Sequence, residues 1–151
     1  MPDALLTSPT SFSVTRVLDA TPEAVFKAWT DPNELKAWWS PPDVRAESVV
    51  ADVRVGGKYR IGNRMRSGEI WYVSGSYREV RPPEKLVFTW AWEEDAGLGP
   101  ESLVTLEFRR RGAQTELVLT HAQLANVESR DGHLHGWEGC FDGLAAHLTQ
   151  K

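Results

Sequence analysis

Cysteine is all but missing from this chain. Cys140 is the only thiol in 151 residues, so no internal disulfide can form, and a reducing compartment such as the cytoplasm is expected. Long apolar runs are missing too. No stretch approaches about 18 uncharged apolar residues, so no membrane span is expected. The first ten residues lack a basic segment followed by an apolar one, so they do not read as a signal peptide. Positive charge is in deficit, with 17 Lys and Arg against 21 Asp and Glu and a net charge of −4. This argues against a nucleic-acid binder that works by neutralising phosphates. The sequence has no repeat and no phosphate-loop pattern, and Gly56-Gly57 reads as a hairpin turn between strands. His133 and His135, two apart on one helix, point roughly 200° away from each other and cannot share a metal. No Cys or carboxylate cluster supplies further ligands, so neither a metal nor another cofactor is implied.

What the chain has in excess is tryptophan: seven, against five Phe and three Tyr. Its length suits one domain of roughly 100–200 residues. Residues 1–10, with Pro2 and Pro9, read as a flexible N-terminal arm, and 11–151 as a single domain. Phe12–Leu18 alternates as a first strand. Thr21-Pro22-Glu23 is a helix start, with Thr capping and Pro in the first turn. Asp31-Pro32-Asn33-Glu34 repeats the device, with Glu34 placed as a reciprocal capping-box residue. Pro41-Pro42 stops the second helix. Six strands follow in the spans 44–54, 58–65, 69–80, 85–93, 102–110 and 115–121, joined by short turns and one longer loop at 94–101. They predict an antiparallel meander.

A long helix from about Val127 to Leu148 closes the chain. Leu134, Trp137, Phe141, Leu144 and Leu148 fall within about 80° of one another and form its apolar face. Gly132, Gly136, Gly139 and Gly143 form a second stripe nearly opposite. Four such glycines cost an isolated helix about 3–4 kcal/mol, which calls for compensation. A second copy of the chain packing on this stripe, as a homodimer, stands level with a bare solvent-facing helix. The order predicts an α+β fold in which a curved antiparallel sheet of about six to seven strands wraps around the C-terminal helix, with two short helices after the first strand.

Several segments, taken together, resemble the activator of heat-shock-protein-90 ATPase homologue family, in the START-like helix-grip (SRPBCC) superfamily of lipid-transfer proteins, pollen allergens and polyketide cyclases. They include Asp19-Ala20-Thr21-Pro22-Glu23-Ala24-Val25-Phe26, Ala28-Trp29-Thr30-Asp31-Pro32, Trp38-Trp39 and Val55-Gly56-Gly57-Lys58-Tyr59. Gly75-Ser76-Tyr77-Arg78-Glu79-Val80, Pro82-Pro83-Glu84-Lys85-Leu86-Val87-Phe88, Leu119-Thr120-His121 and His135-Gly136-Trp137 continue the match. The resemblance implies a helix-grip fold with a cavity between sheet and long helix. Eukaryotic co-chaperones of that family carry a further N-terminal domain, and only about ten residues precede the first strand here. Direct contact with a chaperone is therefore not expected.

The strand faces supply candidate linings for such a cavity: Tyr59, Ile61, Asn63 and Met65; Leu86, Phe88, Trp90 and Trp92; Leu117, Leu119 and His121. Trp137 and Phe141 come from the helix. Of these, Tyr59, Ile61, Met65, Phe88, Trp90, Trp92, Leu119, His121, Trp137 and Phe141 are the expected contacts of an apolar or amphipathic small molecule. His121 is also read as a hydrogen-bonded residue at the sheet rim, and His133 as a ring stacked on Trp137. No nucleophile–base–acid set can be assembled, so no catalytic residue is assigned and Cys140 reads as an inert thiol. Two other readings stand: a co-chaperone-like or dimeric interaction module, and a cyclase- or hydrolase-type enzyme using His121 or a pocket carboxylate. Trp71 has no assigned face.

Overall fold

The computed structural model describes residues 3–149. The elements run β1 (Asp3–Ser8), β2 (Ser11–Leu18), α1 (Pro22–Thr30), α2 (Pro32–Trp38), β3 (Arg45–Ala51), β4 (Lys58–Arg64), β5 (Ile70–Arg81) and β6 (Lys85–Glu94). β7 (Gly97–Leu98), β8 (Ser102–Arg111), β9 (Gln114–Ala122) and α3 (Val127–Thr149) complete the chain. The architecture is the expected helix grip: a curved antiparallel sheet with the long helix laid in its concavity.

The sheet has nine strands, more than expected, in the order β1-β2-β9-β8-β6-β5-β4-β3, with β7 paired to β6. The two additions fall where the sequence reads as irregular. Asp3–Ser8 is not an arm but an edge strand, paired antiparallel to β2 from Asp3↔Thr15 to Ser8↔Ser11. Leu5 and Leu6 stay 66% and 57% exposed, so no buried face announces the strand. The arm's Met1 and Pro2 lie outside the described residues. β7 is a two-residue bridge within the 94–101 loop. Register shifts in the β1–β2, β3–β4 and β5–β6 pairings bend the sheet.

The helix pair forms as its caps dictate. The Thr21 hydroxyl accepts from the Ala24 N–H at 3.3 Å, and Asp31 closes α1 while its side chain accepts from Asn33 N–H at 2.9 Å. Glu34 does not complete a capping box, because the Asp31 N–H donates to the Lys27 carbonyl. Instead Glu34 meets Lys27 and His147, tying α2 to the end of α3. One core runs beneath α3, with Phe12, Leu117, Leu119, Phe141 and Leu144 fully buried.

The glycine stripe of α3 is not an outer face. A Cβ on Gly143 would stand 2.6 Å from the Trp38 carbonyl, and one on Gly139 2.5 Å from Pro42 Cδ. The segment that leaves α2 packs on these two glycines and removes the structural reason for a second copy there. Gly132 and Gly136 meet open space instead.

Candidate functional site

That open space is a cavity of about 400 Å³ between α3, the β4–β6 part of the sheet and the segment Trp39–Val44. Five tryptophans wall it: Trp39, Trp71, Trp90, Trp92 and Trp137. Asn63 of β4 and Met65 just after it close the cavity on one side, and Ser129, Gly132, His133, His135, Gly136 and Cys140 close it from α3. No Asp, Glu, Lys or Arg lines it among the described residues. Its volume falls in the range of small-molecule pockets.

The wall is pinned by hydrogen bonds that use up most of its polar atoms. Trp39 Nε1 donates to Asn63 Oδ1 at 2.8 Å, and Asn63 Nδ2 donates to the carbonyls of Ile61 and Trp71. Trp92 Nε1 donates to His133 Nε2 at 3.1 Å. His133 Nδ1 then carries the proton and donates to the Ser129 carbonyl at 2.7 Å. Trp137 Nε1 donates to His121 Nδ1 at 3.0 Å. His121 therefore holds its proton on Nε2 and donates to Ser102 Oγ at 2.7 Å, and that hydroxyl donates to the Trp90 carbonyl. Trp90 differs, since its buried indole N–H has no acceptor among the described residues.

Both histidines are held neutral. Burial pushes the His121 pKa well below its usual range, and the His133 ring, with centroids 5.0 Å apart, lowers it further. Burial also lowers the His133 pKa, opposed by its bond to the Ser129 backbone. With every ring nitrogen engaged, neither histidine offers a free base to a bound molecule. Cys140 is buried and its thiol pKa is raised by burial, so it is not a poised nucleophile.

Of the expected lining residues, Met65, Trp90, Trp92 and Trp137 come together in this cavity. Tyr59, Ile61 and Phe88 lie on the other side of Trp90 and Trp39, around a residual void of only about 20 Å³. They are packed core, and the Tyr59 hydroxyl donates to the Thr89 carbonyl there. Leu119, Phe141 and His121 are fully buried and line neither space. His121 stands behind the wall and fixes Trp137 from the rear, rather than at the sheet rim. His133 does not stack on Trp137. Its ring packs against His121 and Trp90 and its bond goes to Trp92, because the helix turns it toward β6.

Sequence reasoning passed over Trp39, Trp71, His133 and Gly136 as lining residues. The signal present was the glycine stripe, whose N-terminal half marks where α3 leaves room. Trp71 stands in the run Ile70-Trp71-Tyr72-Val73, which marks no single apolar face, and it stays 53% exposed while still lining the cavity.

The family described as Activator of Hsp90 ATPase homolog 1-like protein has a sequence model that matches residues 19–149. Among solved structures, the chain is similar to a protein from Chromobacterium violaceum at 27% identity and a TM-score of 0.85, covering 95% of this chain and 100% of that one. The AHSA1 protein from Silicibacter pomeroyi is 30% identical with a TM-score of 0.82, covering 91% and 96%. CalU16 from Micromonospora echinospora is 25% identical with a TM-score of 0.71, covering 99% and 86%. No curated protein matches. Among the described residues, no helix is long and apolar enough to cross a membrane.

Proposed function

The chain belongs to the Activator of Hsp90 ATPase homolog 1-like family, and from that premise we propose that it binds an apolar or amphipathic small molecule between the sheet and α3. The observation that carries this reading is the contrast in filling. The space around Phe88 is packed to a void of about 20 Å³, while the space beside Trp137 stays open at about 400 Å³. The open space is a solvent-accessible cleft walled by five indoles, and a concave apolar surface of that kind favours an occupant. Tryptophan faces supply the contact area, and the unpartnered Trp90 N–H supplies a donor for one ligand acceptor.

The enzyme reading rests on His121 or a pocket carboxylate; His121 spends its nitrogens on Trp137 and Ser102, and no Asp or Glu lines the cavity among the described residues. Native mass spectrometry of freshly purified protein should show a retained small molecule that leaves on denaturation. Titration with the uncharged probe N-phenyl-1-naphthylamine should quench tryptophan emission. Gly136→Leu, which drives a side chain into the cavity, should weaken that binding by about tenfold or more. A wild-type protein that neither retains a molecule nor binds the probe would overturn the reading.

A further inference from the structure

Twelve arginines stand in the sequence, and ten of them meet a carboxylate: Arg16, Arg54, Arg60, Arg64, Arg78, Arg81, Arg109, Arg110, Arg111 and Arg130. In a chain with net charge −4, such thorough pairing is expected. The two without an ion pair among the described residues, Arg45 and Arg66, are not scattered. They line one groove of about 540 Å³, together with Arg64. That groove shares Pro41, Pro42, Val44 and Met65 with the tryptophan cavity, so the two spaces adjoin across one set of side chains.

Local structure makes the cluster costly. Arg45 and Arg64 stand directly opposite each other in the β3–β4 ladder. Like charges in that relation are destabilising. Glu47 answers only Arg64, at 2.7 Å and 2.8 Å. Asp43 is the one carboxylate in the groove lining and makes no ion pair there among the described residues. The groove therefore keeps a positive excess at the mouth of a cavity that holds no charged side chain of its own.

Resting on the small-molecule reading above, we propose that the ligand is an organic anion: a flat apolar body among the tryptophans and one acidic group, carboxylate or sulfonate, against Arg45, Arg64 and Arg66. The cavity lining offers no Lys or Arg to pair with an acid among the described residues, and Trp39, Trp92 and Trp137 have already spent their N–H groups. At the mouth the acidic group finds guanidinium forks, whose planar donors match the oxygens of such an acid.

The test compares 8-anilinonaphthalene-1-sulfonate with its uncharged analogue N-phenyl-1-naphthylamine on the full chain, by tryptophan quenching at low and moderate salt. The anion should bind about tenfold more tightly or better, with an advantage that shrinks as salt rises. The double variant Arg45→Gln/Arg66→Gln should remove that preference, so that the two probes bind alike. Both arginines are exposed and make no ion pair among the described residues, so the variant should lose no thermal stability. Gly136→Leu should weaken both probes, which ties the anion to the cavity. Equal binding of the two probes by wild type, unchanged in the arginine variant, overturns the anion assignment and leaves the cavity reading standing. Anion binding that survives Gly136→Leu marks an adventitious surface site and overturns it as well. Failure of the uncharged probe to bind wild type counts instead against the cavity reading itself.

Discussion

The indoles of Trp39 and Trp90 stand between two rooms on the inner face of the sheet that share a wall and differ in almost everything else. On one side Tyr59, Ile61, Leu86 and Phe88 interlock and leave about 20 Å³. On the other, about 400 Å³ stays open. The covering element explains part of the difference. Trp29 of α1 and Leu35 of α2 press into the filled room, while the open room is covered by the N-terminal half of α3, which presents Ser129, Gly132, His133 and Gly136. The rest lies in hydrogen bonding. The filled room is held mainly by interlocking apolar side chains, with the Tyr59 hydroxyl bonded to the Thr89 carbonyl. Three of the five indoles that wall the open room, Trp39, Trp92 and Trp137, commit their N–H groups to Asn63, His133 and His121. Collapse into the cavity would strip those bonds, at about 1–3 kcal/mol for each group left unsatisfied. An apolar space thus stays open because polar contacts behind its walls resist closure.

The sharpest way to break this comparison is to remove one large side chain from each room. Phe88 is buried in the filled room against Tyr59 and Tyr77, and Phe88→Ala should cost about 3–5 kcal/mol. Trp71 is half exposed at the cavity's edge, and Trp71→Ala should cost about 0.5 kcal/mol or less while weakening probe binding. Urea denaturation of the two variants measures both. Equal losses would mean that the two rooms are equally part of the packed core.

Acid tests the pinned wall itself. The two histidines behind it have folded-state pKa values lowered mainly by burial. Below about pH 6.5 the unfolded chain takes up protons that the folded one refuses, so stability falls as pH falls. The slope should be on the order of 1 kcal/mol per pH unit for each histidine until its folded pKa is reached. The window from about pH 6.5 to 5 lies above the carboxylate range and isolates this contribution. His133→Gln, whose side chain can still accept from Trp92, should flatten the slope. A stability that does not change between pH 7 and pH 5 would show that the histidines are not held neutral.

The two rooms were not equally legible in the sequence. Alternation on Tyr59-Ile61-Asn63, on Leu86-Phe88-Trp90 and on Leu117-Leu119-His121 gives the inward faces of β4, β6 and β9, and the structure buries all of them. The caps at Thr21 and Asp31 give the helix pair to the residue. Periodicity reports which way a side chain points and not whether its neighbours meet it. So Tyr59 and Trp92, alike by pattern, end in different rooms. The cavity's far wall comes from Trp39–Val44, a segment with no regular period that is positioned by its contact with Gly139 and Gly143. β1 was illegible for a related reason, since neither of its faces is buried enough to impose a pattern. The pairing of His133 with Trp92 joins residues 41 apart, beyond any local rule.

The glycine stripe predicts modest effects that carry opposite signs along one helix. Gly143→Ala gains helix propensity of about 1 kcal/mol. It also forces a methyl group to within 2.6 Å of the Trp38 carbonyl and closer still to Ser40 Oγ. Overpacking of that kind costs about 1–3 kcal/mol, and because a backbone atom must move, the net change should be a loss. Gly136→Ala gains the same propensity and meets nothing within 4 Å, so it should stabilise by about 0.5–1 kcal/mol. Thermal melts of the two single variants decide the matter. If both stabilise, Trp38–Pro42 does not press on α3 and the far wall of the cavity is free to move. If both destabilise, the space beside Gly136 is already filled. Opposite signs fit a helix that is gripped at one end and left open at the other, where a ligand has room to lie.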